Sequence, residues 1–266
     1  MTDSSLQPGP IHITILGSGT SAGVPMIGCK CEVCTSSDPR DKRSRTSIVV
    51  EYDNRAILID VTPELRLQAI ANDLMRIDSV VITHAHADHI MGMDDLRRFN
   101  VLKDGPLDLW MDERTSKPVR NCFGYCFSPT QEEGVFRPLL VEQRINGPFD
   151  LYGRTWTPIP MIHGRGHVLG FRIDDFAYCT DVSSMPEESF ALIQGLDLLI
   201  LDALQETKHP THFNIAEALD VVDRVEPKRT FFTHMSHRVK HERDEPKLPP
   251  NVKFLYDGLR LTSSRN

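Results

Sequence analysis

Residues 79–89 read SVVITHAHADH. Val80, Val81, Ile82 and Thr83 are all β-branched, which predicts a short buried strand. That strand delivers the chain into His84-Ala-His86-Ala-Asp88-His89. In an extended segment, side chains two apart point the same way, so His84 and His86 can reach one metal ion together. Asp88 and His89 follow where the chain would turn, and can face a second ion. Three imidazoles and a carboxylate in six residues are hard to reach by chance. A lone histidine would carry no such implication.

The rest of the chain supports a globular host for that cluster. It has 266 residues, 40% hydrophobic and 25% charged, which is ordinary globular usage. A chain of this length buries a core without disulfide staples, so a disordered tail and a small disulfide scaffold are excluded. Thirty Lys and Arg against 37 Asp and Glu give a net charge of −7, so there is no global basic field for nucleic acid. Residues 1–10 are polar and lack a secretory pattern, and no run of 18 apolar residues occurs. A cytoplasmic protein without a membrane span is expected. Its six cysteines are then expected to be thiols or metal ligands rather than disulfides.

Outward from the cluster, residues 11–16 (IHITIL) read as a strand. Residues 47–52 and 55–60 (RAILID) read as a hairpin turning at Asp53-Asn54. A helix is expected over 63–72, capped by Thr62 with Pro63 in its first position, and another over 94–103. Strands follow at 156–162, 168–173 and 176–180, then a helix at 185–192 and a buried strand at 196–202 (LDLLILD). A helix at 214–225 precedes a strand at 229–233 (RTFFT). Residues 104–150 give no clear pattern. No linker or repeat interrupts the chain, so one α/β domain spanning 1–266 is expected.

The order of these elements, together with THAHADH, resembles the metallo-β-lactamase superfamily from about residue 11 to 258. The resemblance implies an αββα sandwich, with helices outside two facing sheets and metals at one edge between them. It also implies the ligands: one ion held by His84, His86 and His163, the second by Asp88, His89 and His234, with Asp181 in FAYCTDVS spanning both. Imidazole and carboxylate suit Zn²⁺, Mn²⁺ or Fe²⁺ equally. Asp60, at the end of RAILID, is expected to orient a ligand histidine from behind. By spacing alone either His163 or His167 could be the ligand. The family pattern favours His163, which precedes a glycine.

A second constellation is Cys29-Lys-Cys31-Glu-Val-Cys34. Three thiols within six residues suit a structural Zn²⁺ that needs a fourth ligand, and His237 is the candidate. The cysteines would form a zinc-binding insertion at about 26–38. Such an insertion beside this scaffold resembles the phosphodiesterase of the carbon–phosphorus lyase pathway and its relatives, as do Gly17-Ser-Gly19-Thr20 and Thr211-His212-Phe-Asn214. That branch implies a small, even cyclic, phosphodiester substrate, attack on phosphorus by a hydroxide bridging two ions, and His212 as general acid beside Asp88 at the catalytic centre. Residues 104–150 do not match that branch.

A thioester hydrolase of glyoxalase II type also keeps an aspartate where Asp181 stands, whereas β-lactamases normally have a cysteine there. An RNase Z-like tRNA 3′-processing nuclease shares the metal motifs, but no Gly/Pro-rich arm is visible, so a nucleic-acid partner is not expected. A non-enzymatic relative would not keep seven ligands. The stretch from Gly17 to Gly23 lacks dinucleotide-binding spacing. Cys122 and Cys126 are expected to be an ordinary buried pair, and His209 to be solvated. Residues 38–45 (DPRDKRSR) are expected to be a solvated loop, and 240–247 a similar loop or a rim to the site. The sequence does not specify an oligomeric state, and a homodimer is compatible with it.

Overall fold

The computed structural model describes residues 9–128 and 136–264. Fourteen strands are found among them: β1 Ile11–Gly17, β2 Ser47–Tyr52, β3 Arg55–Ile59, β4 Ser79–Val81, β5 Leu107–Met111, β6 Leu140–Arg144, β7 Phe149–Leu151, β8 Arg154–His163, β9 Gly166–Ile173, β10 Phe176–Cys179, β11 Leu198–Asp202, β12 Arg229–Thr233, β13 Val252–Phe254 and β14 Arg260–Ser263. The α-helices are α1 Leu65–Ala71, α2 Ala87–Ile90, α3 Arg97–Lys103, α4 Glu113–Phe123, α5 Glu187–Leu192, α6 Ile215–Val225 and α7 His241–Asp244.

Two seven-stranded sheets result. One runs in the order β14-β1-β2-β3-β4-β5-β6, the other β13-β12-β11-β10-β9-β8-β7. Period-2 alternation sorts the side chains of the first sheet into two cores. Ile48, Val50, Ile57, Ile59 and Val81 join Trp156, Met161, Phe171 and Ile173 of the second sheet in one core between the sheets. Val49, Leu58, Val80 and Ile82 point the other way, packing with Leu65, Ile90, Leu96, Phe99 and Val119 of the helical layer. On the far face of the second sheet, α6 buries Ala218, Val221, Val222 and Val225. The architecture is the αββα sandwich. Among the described residues, no helix is long and apolar enough to cross a membrane.

The strands and turns read from the sequence agree closely with these elements, and Asp53 and Asn54 both have positive φ at the β2–β3 turn. Several expectations need correction. Helix α1 starts at Leu65, and Thr62 is not its cap. The Thr62 hydroxyl instead donates to the Gln68 side chain at 2.8 Å. Helix α5 starts at Glu187, after Pro186. Cys126 is buried but Cys122 is exposed, so they are not a buried pair. The 38–45 segment is not simply solvated. Asp41 and Arg43 are buried and paired at 3.0 Å, and Arg43 also donates to the Ser236 and Val239 carbonyls. His241 and Asp244, within 240–247, are buried as well.

Residues 104–150 contain β5, α4, β6 and β7. Helix α4 is capped by the Asp112 side chain, which accepts from the Thr115 N–H at 2.8 Å. It holds Pro118 in its interior, which masks the helical signal. Residues 129–135 of this stretch lie outside the described residues.

Candidate metal centre

Strands β3 and β4 run parallel, as do β10, β11 and β12. Parallel neighbours bring their carboxyl ends to one edge, where the chain must turn away. Asp60 follows β3, the His84–His89 run follows β4, Asp181 follows β10, Asp202 ends β11 and His234 follows β12. Asp60, Asp181 and His234 have φ of 64°, 58° and 60°. A non-glycine residue in the left-handed region is uncommon and tends to occur at functional sites. Here it ends each strand in a sharp turn that carries a polar side chain at the seam between the sheets.

Asp181 sits at the middle of the constellation. Its Oδ2 lies 3.8 Å from His84 Nε2 and 3.8 Å from His163 Nε2. Its Oδ1 lies 3.3 Å from His89 Nε2 and 3.5 Å from His234 Nε2. Asp88 Oδ2 is 3.3 Å from His89 Nε2 and 3.7 Å from His234 Nε2. The donors fall into two groups, His84, His86, His163 and Asp181 on one side and Asp88, His89, Asp181 and His234 on the other. Donors about 2.1 Å from a tetrahedral ion stand about 3.4 Å apart, close to the spacings seen.

The hydrogen bonding also fits an ion on each side. His84 Nε2, His89 Nε2 and both nitrogens of His234 are buried without a hydrogen-bond partner. Buried polar atoms are rarely left so, and a divalent ion would satisfy the Nε2 atoms. At His84, His89 and His163 the opposite nitrogen is fixed from behind, whereas His234 Nδ1 has no such partner. His89 Nδ1 donates to Asp60 Oδ2 at 2.7 Å, and Asp60 accepts from the Thr83 N–H and hydroxyl, both at 2.8 Å. Since the Thr83 hydroxyl donates to Asp60, it accepts from His84 Nδ1 at 3.0 Å. His163 Nδ1 donates to the Thr211 carbonyl at 2.6 Å. The Nε2 lone pairs of His84, His89 and His163 are thereby turned toward the seam.

Without ions, the carboxylates and imidazoles compensate one another. Burial penalises the charge on His234, but Asp181 and Asp88 outweigh it and raise the imidazole to about 9. Burial likewise opposes charge on Asp181, and His234 and His89 reverse this, holding it well below the usual carboxylate range. Burial pushes Asp60 upward, partly countered by His89.

His212 is buried beside this centre, its ring stacked 4.5 Å from that of His234. His212 Nδ1 donates to Asp202 Oδ2 at 2.7 Å. The sequence reading missed Asp202. Its signal was the strand LDLLILD ending in a carboxylate, just as RAILID ends in Asp60. His167 is exposed on β9, outside both donor groups.

About the second constellation, Cys29, Cys31 and Cys34 place their Sγ atoms 3.2, 3.5 and 3.8 Å from His237 Nδ1. The Cys34 N–H beside Cys31 Sγ is the main cause of a thiol lowered to about 6, while burial pushes Cys34 up to about 11. Four soft donors closing on one point suit a tetrahedral zinc with no open position.

Residues 55–235 match the family model described as "Beta-lactamase superfamily domain". The chain belongs to that family, and its fold and donor set are those of the metallo-β-lactamase class. Within the class it is similar to a solved structure described as a new diphosphatase from the PhnP family. The two are 39% identical with a TM-score of 0.90, over 96% of this chain and 98% of that one. Zn²⁺-bound PqqB from Methylobacterium extorquens shares the fold at 21% identity and a TM-score of 0.77, over 94% and 99% of the two chains. An octanoyltransferase of Porphyromonas gingivalis is 34% identical over 248 residues, 92% of this chain and 50% of that protein. The chain spans half, or less, of the length of the curated relatives it matches.

Proposed function

We propose that the chain is a phosphodiesterase that cleaves a small phosphate-linked substrate with two divalent ions. His84, His86, His163 and Asp181 would hold one ion, and Asp88, His89, His234 and Asp181 the other. The ions, whether zinc, manganese or iron(II), would acidify water and neutralise phosphoryl charge. Cys29, Cys31, Cys34 and His237 would hold a structural zinc.

The observation that carries this reading is the His212–Asp202 pair. Asp202 fixes the His212 ring through Nδ1, so that Nε2 can hand a proton to a departing oxygen. A thiolate leaves without such help, whereas a sugar alkoxide does not. A buried, carboxylate-oriented imidazole beside the metal ligands therefore favours oxygen leaving groups on phosphorus over thioesters. The likeness to the PhnP-family diphosphatase supports the same substrate chemistry.

The test is a substrate panel on metal-loaded protein: bis(p-nitrophenyl) phosphate, a sugar cyclic phosphodiester, S-lactoylglutathione and a tRNA precursor. The phosphodiesters should be hydrolysed. His212→Ala should slow the sugar substrate by about 10²–10⁴-fold and the nitrophenyl ester far less, because nitrophenolate leaves unprotonated. Cleavage of the thioester or the tRNA precursor, with both phosphodiesters untouched, would overturn the reading.

A further inference from the structure

Two buried polar atoms beside the centre lack a hydrogen-bond partner, His234 Nδ1 and Asp202 Oδ1. Both residues are fully buried, so each atom needs a partner within the protein. Their strands set them side by side. Asp202 ends β11 and His234 follows β12, and in this parallel pair Asp202 stands opposite Thr233. The Ala203 N–H then donates to the Thr233 carbonyl at 3.1 Å. Asp202, His212 and His234 each bring a donor atom within 4.8 Å of the other two.

The other oxygen of Asp202 is already engaged. Oδ2 accepts from the Val182 N–H at 2.8 Å and from His212 Nδ1 at 2.7 Å, which fixes the carboxylate and leaves Oδ1 free to accept. A neutral imidazole that gives Nε2 to an ion keeps its one proton on Nδ1, and ligand histidines pass that proton to a carboxylate or a carbonyl. His89 donates to Asp60 in this way, and His163 to the Thr211 carbonyl. For His234 the acceptor left over in the group is Asp202 Oδ1.

We propose that Asp202 is a positioning residue for a metal ligand as well as for His212: with an ion on His234 Nε2, the Nδ1–H of His234 donates to Asp202 Oδ1 while Oδ2 keeps His212. One carboxylate then orients a ligand of the second ion and the proposed proton donor together. This rests on the two-ion reading above. Zinc affinity at the seam would be measured by chelator competition, with the cysteine site already filled, in wild type, Asp202→Ala, Asp202→Asn and His212→Ala. Asp202→Ala should weaken one of the two seam ions by about 10–100-fold. The other should hold, because His84 and His163 are oriented by Thr83 and Thr211 instead. His212→Ala should leave both ions in place. Asparagine keeps the side-chain shape should alanine fail to fold. With its one carbonyl oxygen on Val182 and His212, its amide would turn a donor toward His234 Nδ1–H, so it should weaken the same ion. Proton NMR of zinc-loaded protein gives a second reading: low-field Nδ1–H signals of both His212 and His234 in wild type, with that of His234 kept in His212→Ala and lost in Asp202→Ala. Unchanged affinity in both Asp202 variants would overturn the proposal, as would an equal loss in His212→Ala or a uniform loss of both seam ions. Wild type that holds no zinc at the seam would sink the two-ion reading itself.

Discussion

Asp181 is the residue on which the centre turns. Fully buried, it offers one oxygen to each donor group, and in the ion-free state its charge is balanced by imidazoles. His234 is raised to about 9, burial being outweighed by Asp181 and Asp88. The sign of the pH effect follows. With its pKa above 7, the ion-free ring carries a proton at neutral pH, and an ion must displace that proton to bind. Metal affinity should therefore rise between pH 6 and 9, by about tenfold per pH unit for each proton released. Competition against a chelator of known pH dependence would measure this, and a flat profile would contradict it. The THAHADH ligands were legible because four of them lie in one short segment. Asp202 was not, since its role depends on His212 ten residues later and on a turn that only the folded chain supplies.

Elements show the same division between local and distant causes. The inner strands were readable because both faces are apolar and their ends carry the polar residues that mark the site. Helix α6 was readable too, and its start is secured by a capping box. The Asn214 side chain accepts from the Glu217 N–H at 2.8 Å, and Glu217 accepts from the Asn214 N–H at 3.0 Å. Asn214→Ala should cost about 1 kcal/mol, lowering Tm by about 2–4 °C in a thermal melt. Because Asn214 stands two residues after His212, the variant should also lose turnover on a sugar phosphodiester. An unchanged Tm would mean that the box contributes nothing. The start of α1 was misread because the Thr62 hydroxyl engages Gln68 rather than capping. The 38–45 segment was misread because the partners that bury Arg43 lie near residues 236–241, far along the chain. Nothing in DPRDKRSR reveals them.

At the scale of the whole molecule, the centre is a seam between the two sheets. The first sheet contributes His84, His86, Asp88 and His89, the second His163, Asp181 and His234. Beyond β12, residues 234–237 connect this seam to the cysteine cluster: His234 lies in one donor group and His237 in the other. Arg43 clamps the neighbouring carbonyls of Ser236 and Val239. The sandwich was legible from element order and ligand spacing together, and the link between the clusters from His237 standing three residues after His234, but the Arg43 clamp needed three-dimensional placement. Cys31→Ser should release one zinc per chain and lower Tm, because structural zinc binding adds directly to folding free energy. The ions at the seam should remain. Unchanged zinc content and Tm in that variant would remove the structural site from the account.

Anomalous diffraction from metal-loaded crystals tests the central claim most directly. The account predicts three ions per chain. Two should flank Asp181 about 3.5–4 Å apart, one among His84, His86 and His163 and the other among Asp88, His89 and His234. The third should lie amid Cys29, Cys31, Cys34 and His237. Loaded protein with no ion on either side of Asp181, or with a single ion that leaves one oxygen of that carboxylate facing solvent, would contradict it.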